Sequence, residues 1–110
     1  MLIKRKGNTV ELTDIDGDWR WSDTFTEPHF ANGIPINFIL FDPAAASEEA
    51  NLYHGDEPND PRCFTSIGTN ANDQRVCRYH GAVKELFIDY SKGTYANAAT
   101  AIIIELMPIY

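Results

Sequence analysis

The chain has 110 residues, 44% of them hydrophobic and 23% charged, the balance of one globular domain around a single core, not of a disordered chain or of two domains. Nine Lys and Arg against sixteen Asp and Glu give a net charge of −7, which argues against a nucleic-acid partner, because neutralising phosphates needs a basic face. No stretch approaches the ~20 apolar residues of a membrane span, and the opening Met-Leu-Ile-Lys-Arg-Lys lacks the order of a secretory signal, so the chain is expected to be made in a cytoplasm with no membrane partner.

In chain order, Leu2 to Lys6 and Thr9 to Thr13 flank Gly7-Asn8, a two-residue hairpin turn in which Val10 and Leu12 point inward and Glu11 outward. Lys4-Arg5-Lys6 is the one basic cluster and reads as an exposed strand end. Asp14-Ile15-Asp16-Gly17-Asp18 looks like part of a calcium loop. An EF-hand counted from Asp14 would need Gly and Glu where Trp19 and Phe25 stand, so a solvated turn is the simpler reading. Trp19 and Trp21 share one face of a short strand, as core or interface aromatics or as a stacking platform for sugar.

Residues 22–33 have no periodicity and end in the turn Asn32-Gly33. Ile34 to Phe41 reads as a strong strand, with Ile34, Ile36, Phe38 and Leu40 on one apolar face, Pro35 near its start and Asp42-Pro43 at its end. Residues 44–50, rich in Ala and Glu, predict a short helical turn. Leu52-Tyr53-His54 is a short strand or its end, followed by an acidic, proline-bounded loop over residues 55–61.

Two runs, 62–67 and 74–79, flank the turn-rich Gly68-Thr69-Asn70-Ala71-Asn72. If that loop closes a hairpin, residues whose numbers sum to 140 lie opposite one another, which places Cys63 across from Cys77 and Phe64 across from Val76. A Cys63–Cys77 disulfide would then be geometrically accessible and would stabilise by roughly 3 kcal/mol. Two reduced, buried thiols are the alternative usual in a cytoplasm. A zinc site has no support in the Cys spacing or in the scattered His29, His54 and His80.

From Val83 onward, Leu86, Ile88 and Tyr90 alternate with Glu85, Phe87 and Asp89. After a turn-rich loop, Ile102, Ile104 and Leu106 alternate with Ile103 and Glu105. These two runs are expected to be core strands of the sheet. Pro108 then stops the ladder, leaving Ile109 and Tyr110 as an apolar tail that covers its own core or reaches a neighbour. The fold class is all-β: one antiparallel β-sandwich domain over residues 1–110.

Three segments carry a family resemblance: Ile34-Pro35-Ile36-Asn37-Phe38-Ile39-Leu40-Phe41-Asp42-Pro43-Ala44-Ala45-Ala46, the run His80 to Tyr90, and Ala101 to Leu106. With the cysteine hairpin between them, they resemble small structural proteins of tailed bacteriophages over roughly residues 34–106. The resemblance implies a compact β-sandwich with no active site and no cofactor, working in a virion assembled in the host cytoplasm. Its partners would be other copies of itself and virion proteins, the major capsid protein first. A head decoration or cement role is expected, with a neck or tail position as the alternative, because an acidic surface suits the capsid exterior. Contact residues would be exposed apolar groups, with Trp19, Trp21, Phe25, Phe30, Tyr95, Met107, Ile109 and Tyr110 as candidates.

Other functions have weaker support. Trp19 and Trp21 could serve a carbohydrate-binding module, and Asp14, Asp16 and Asp18 a small metal-dependent enzyme. No G-x-S-x-G, P-loop, H-E-x-x-H or dinucleotide fingerprint occurs, so no catalytic or metal residue is assigned.

Overall fold

A computed structural model describes residues 1–55, 62–78 and 81–108. These residues form two antiparallel sheets packed as a sandwich, the all-β architecture expected. The larger sheet contains β1 (Leu2–Lys6), β2 (Thr9–Thr13), β10 (Ala101–Leu106), β4 (Ile34–Asp42) and β7 (Arg75–Cys77) in that order, with β8 (Gly81–Val83) pairing beside β7 on the same edge of β4. The smaller sheet runs β3 (Trp19–Arg20), β9 (Phe87–Ile88), β5 (Glu48–Tyr53) and β6 (Arg62–Gly68).

The β1–β2 hairpin forms as its turn chemistry dictates. Lys6 pairs with Thr9, and Gly7 takes φ +60°, open to glycine without steric cost. Val10, Leu12, Ile102, Ile104 and Leu106 line the inner face of the larger sheet and are fully or almost fully buried. Opposite them the smaller sheet supplies Ala50, Leu52, Phe64 and Ile88.

Four expectations are corrected. The run 83–90 and the C-terminal run do not share a sheet: β9 lies in the smaller sheet and β10 in the larger. Leu86, Phe87, Ile88 and Asp89 are all buried, so no alternation holds there, and Tyr90 is exposed. No helical turn spans 44–50. Residues 44–47 make a turn with Ser47 at φ +64°, and Glu48 already begins β5. The physical reason is Glu48 itself. Its buried carboxylate accepts from Ala45 N–H (2.8 Å), Ala96 N–H (2.9 Å) and Thr100 Oγ1–H (2.7 Å to either oxygen), a set of partners that a solvated helical turn could not reach.

The cysteine hairpin is the third correction. β6 pairs with β5 and β7 with β4, so the connection after Gly68 is a corner that carries the chain from one sheet to the other. Asn72, at φ +60°, donates its N–H to Pro43 O (2.7 Å), and Asp73 accepts from Thr69 and Arg75, fixing the corner. Those bonds, the Thr69 hydroxyl first, hold the half-buried Asp73 carboxyl below its ordinary range. Phe64 therefore pairs with Leu52 in the core, while Val76 pairs with Leu40 and stands 54% exposed.

The fourth concerns β4. Its buried residues are Ile34, Ile36, Ile39 and Phe41, not Phe38 and Leu40. Against β10, Leu106 pairs with Ile36 but Glu105 with Phe38, which leaves Asn37 as an extra residue in a β-bulge. One inserted residue reverses the face of every side chain beyond it.

Candidate interaction surface

The bulge determines what the larger sheet shows to solvent. Along its outer face the registers align Lys4, Glu11, Ile103, Leu40 and Val76 across β1, β2, β10, β4 and β7. The neighbouring row on one side holds Lys6, Thr9, Glu105 and Phe38, and the row on the other holds Ala101 and Asp42. Ile103, Leu40 and Phe38 are half-buried and Val76 is exposed. Four large apolar side chains on three adjacent strands thus form one stripe, with Glu105 on one flank and Asp42 next along β4. Glu105 has no ion-pair partner among the described residues, and Asp42 accepts from Gln74 Nε2–H (3.3 Å).

The residues singled out from the sequence lie elsewhere. Trp19, Trp21, Phe25 and Phe30 gather in one buried cluster at an end of the sandwich, Phe25 and Phe30 delivered by two short 3-10 turns (Trp21–Asp23 and Pro28–Asn32) and the segment between them. The Trp21 ring centroid is 4.4 Å from that of Phe25, 5.2 Å from Phe30 and 6.0 Å from Trp19. Trp19 Nε1–H donates to Thr24 Oγ1 (3.0 Å). The Arg5 guanidinium caps the cluster over Phe25 and Phe30 and pairs with Glu27 at 2.6 Å. As contact residues or as a sugar platform these four are corrected: their rings fill the core.

Tyr95 is also buried, its hydroxyl accepting from Asn51 N–H (3.3 Å), and burial pushes its pKa up to about 12. Met107 is half-buried beside β4, its N–H donating to Pro35 O (2.8 Å), while Ile109 and Tyr110 lie outside the described residues.

Beside the aromatic cluster opens a cleft of about 400 Å³ lined by Trp21, Phe25, Pro28, Phe30, Ile34 and Lys84, among others. The carboxylates at its rim are committed to the fold: Glu27 to Arg5, and Glu85 to the N–H groups of Ser22 (3.2 Å) and Leu86 (3.0 Å). Asp18 likewise accepts from Tyr90 N–H (2.9 Å). Among the described residues no group of three His, Cys, Asp or Glu side chains is placed to hold a metal ion.

Cys63 and Cys77 are free thiols, Cys63 buried on β6 and Cys77 half-buried on β7. Loss of the hairpin register removes the directly opposed pairing expected for them. Burial pushes the Cys63 thiol up to about 12, with Cys77 a smaller contributor.

The apolar stripe departs from the sequence pattern on β4, where Phe38 and Leu40 are expected inside, and on β7, where Val76 is expected opposite Phe64, whereas Ile103 and Glu105 keep the face that their alternation gives them. Its signal was the unbroken apolar run Phe38-Ile39-Leu40-Phe41, too apolar for a strand with one wet face. No protein-family model, no curated protein and no solved structure matches this chain.

Proposed function

We propose that this chain is a non-enzymatic virion structural protein, a decoration or cement protein of a tailed-bacteriophage head, attached through the outer face of its larger sheet. The observation that carries the reading is the stripe Phe38, Leu40, Val76 and Ile103, which faces solvent although the core already has Ile34, Ile36, Ile39 and Phe41 from the same strand. Contiguous apolar residues on an otherwise charged surface are the usual mark of a protein contact. Repetition of a modest contact over a symmetric shell would make it strong by avidity. The pattern of residues 34–106 and the net charge of −7 support the virion setting.

The test is mass spectrometry of purified particles from the producing culture, with heads and tails separated. The protein is expected in the head fraction at high copy number. Replacing Leu40 or Val76 by Glu is expected to lower its occupancy on heads while leaving the thermal midpoint of the free protein near that of wild type. Absence from purified particles would sink the proposal, and recovery with tails alone would move the protein to the neck or tail.

A further inference from the structure

An edge strand turns half of its backbone N–H and C=O groups toward no neighbour, and proteins usually guard such edges. In the larger sheet β1 carries Lys4, Arg5 and Lys6 in succession, while β3, β7 and β8 are only two or three residues long. The edge strand β6 is different. It runs from Arg62 to Gly68 with no Lys or Pro and with Arg62 as its one charge, and Ile67 on it stands 55% exposed.

The direction of its unused groups follows from β5. Glu49 exchanges both backbone bonds with Thr94 (3.2 and 2.9 Å), and Asn51 N–H donates to the Tyr95 hydroxyl (3.3 Å). These two residues therefore turn their backbone groups away from β6. Across the ladder they stand opposite Ile67 and Thr65. Directly opposed residues of an antiparallel pair exchange both bonds or neither. Ser66, between them, is thus bonded to Ala50, while Thr65 and Ile67 aim their N–H and C=O groups outward, where no described residue meets them. The open stretch ends at the bulge residue Cys63 on one side and at the corner after Gly68 on the other.

Such a short edge is complementary to itself. A two-fold axis through Ser66, perpendicular to the sheet, lays a second β6 antiparallel to the first. Thr65 then stands opposite the partner's Ile67, and Ile67 opposite the partner's Thr65. Each pair exchanges both bonds, which satisfies every outward group of the two residues in both copies. An axis through Thr65 would instead set Ile67 against the partner's bulge. An axis through Ile67 would set Thr65 against the partner's Thr69, whose N–H already serves Asp73.

The side chains agree with the Ser66 axis. On the outer face one row reads Glu49, Ile67, the partner's Thr65 and the partner's Asn51. The exposed Ile67 gains a β-branched neighbour, and no like charges meet within the paired stretch. Arg62 lies past the bulge, and Arg75 in the layer beneath is paired with Asp73 at 2.7 Å.

We infer that a second copy of this chain pairs edge to edge along β6, joining two four-stranded sheets into one continuous sheet. The inference goes beyond the proposed function: it uses a different surface and leaves the outer face of the larger sheet free.

Two measurements on the full chain test it. Sedimentation equilibrium is expected to show a reversible monomer–dimer equilibrium that Ile67→Pro weakens at least about tenfold. Proline there removes only an N–H that the monomer does not use, so circular dichroism and the unfolding midpoint should stay near wild type. Ile67→Lys, which places a charge on the edge, should act in the same direction. Amide hydrogen exchange, read residue by residue, gives a signature that a folding defect cannot imitate. The Thr65 and Ile67 amides should exchange at least about tenfold more slowly where the dimer forms than in dilute solution, whereas the Ser66 amide is already slow in dilute solution. A wild-type chain that stays monomeric at its highest soluble concentration overturns the inference. So do association unchanged in both variants, oligomers that grow beyond the dimer, or a dimer in which Thr65 and Ile67 stay unprotected. Association lost in Leu40→Glu but kept in Ile67→Pro also overturns it, moving the second copy to the outer face of the larger sheet. Its failure is separable from failure of the virion reading: a dimer with this exchange pattern that is absent from particles keeps the edge and loses the virion role, and a monomer found on heads does the reverse.

Discussion

Adjacent residues on β4 give the most direct check on the contact face, because the bulge at Asn37 assigns them opposite environments. Ile39 is fully buried against the inner face, and Leu40 is half-exposed on the outer one. Truncating Ile39 to Ala removes buried methyl groups and leaves a cavity, which costs ~2–5 kcal/mol. Truncating Leu40 to Ala removes partly solvated surface and is expected to cost under ~1 kcal/mol. The assay is urea denaturation followed by tryptophan fluorescence, at protein concentrations low enough to keep the chain monomeric. With a slope of about 1.5 kcal/mol/M, a loss of about 3 kcal/mol moves the midpoint by about 2 M, whereas the Leu40 variant should stay within about 0.7 M of wild type. A Leu40→Ala variant as unstable as Ile39→Ala would refute the bulge assignment and take Phe38 and Leu40 out of the stripe.

Deleting Asn37 should be tolerated, because Ile36, Phe38, Ile39, Leu40 and Phe41 then alternate without interruption on the faces they already occupy. Unfolding midpoints should fall by no more than about 2 kcal/mol equivalent, whereas an unbulged β4 with Phe38 and Leu40 inside would lose its core on deletion. Glu48→Ala strips the acceptors from Ala45 N–H, Ala96 N–H and the Thr100 hydroxyl, and is expected to destabilise by ~3–5 kcal/mol in chemical denaturation; near-neutral behaviour would show that water reaches the site. The contribution of Cys63 to stability should be constant from neutral pH to about 9 and be lost above it. An unfolded Cys63 ionises near its ordinary value of 9.0 while the buried thiol holds its proton up to about 12, so the unfolded state gains as pH rises. The slope is ~1.4 kcal/mol per pH unit and steepens above pH 10, where Tyr95, raised from 10.0 to about 12, joins in. Cys63→Ala should flatten the interval between pH 9 and 10, and an unchanged slope there would contradict the assignment.

Much of the fold was legible because local chemistry and global placement agree. Gly7-Asn8 admits little besides a tight hairpin, and Ile102, Ile104 and Leu106 alternate cleanly because only one face of β10 is dry. The failures share a cause, which is information carried by distant partners. Turn residues after Gly68 announce a reversal without saying whether the next strand rejoins the same sheet, and here it joins the other one. Ala44 to Ala50 has helical propensity, but Glu48 satisfies three donors from two separate segments in the interior and draws the chain into β5. Trp19, Trp21, Phe25 and Phe30 were correctly seen as large apolar surfaces. Sequence order could not show that they bury one another, because the segment bearing them has no periodicity.

The β4 error leads back to function. Phe38-Ile39-Leu40-Phe41 places four large apolar residues in succession, and a strand turns alternate residues to opposite faces. Without the bulge Phe38 and Leu40 would be inside and Ile39 and Phe41 outside; with it the assignment reverses. Either register leaves two of the four on the outer face, joined there by Ile103 from β10 and Val76 from β7. A sequence shaped only to fold this sandwich would carry polar residues at those two places, as β2 carries Glu11 between Val10 and Leu12. An apolar outer face is therefore independent of how Asn37 is accommodated. What the bulge decides is which pair stands outside: it brings Phe38 beside Glu105, and Leu40 between Ile103 and Val76.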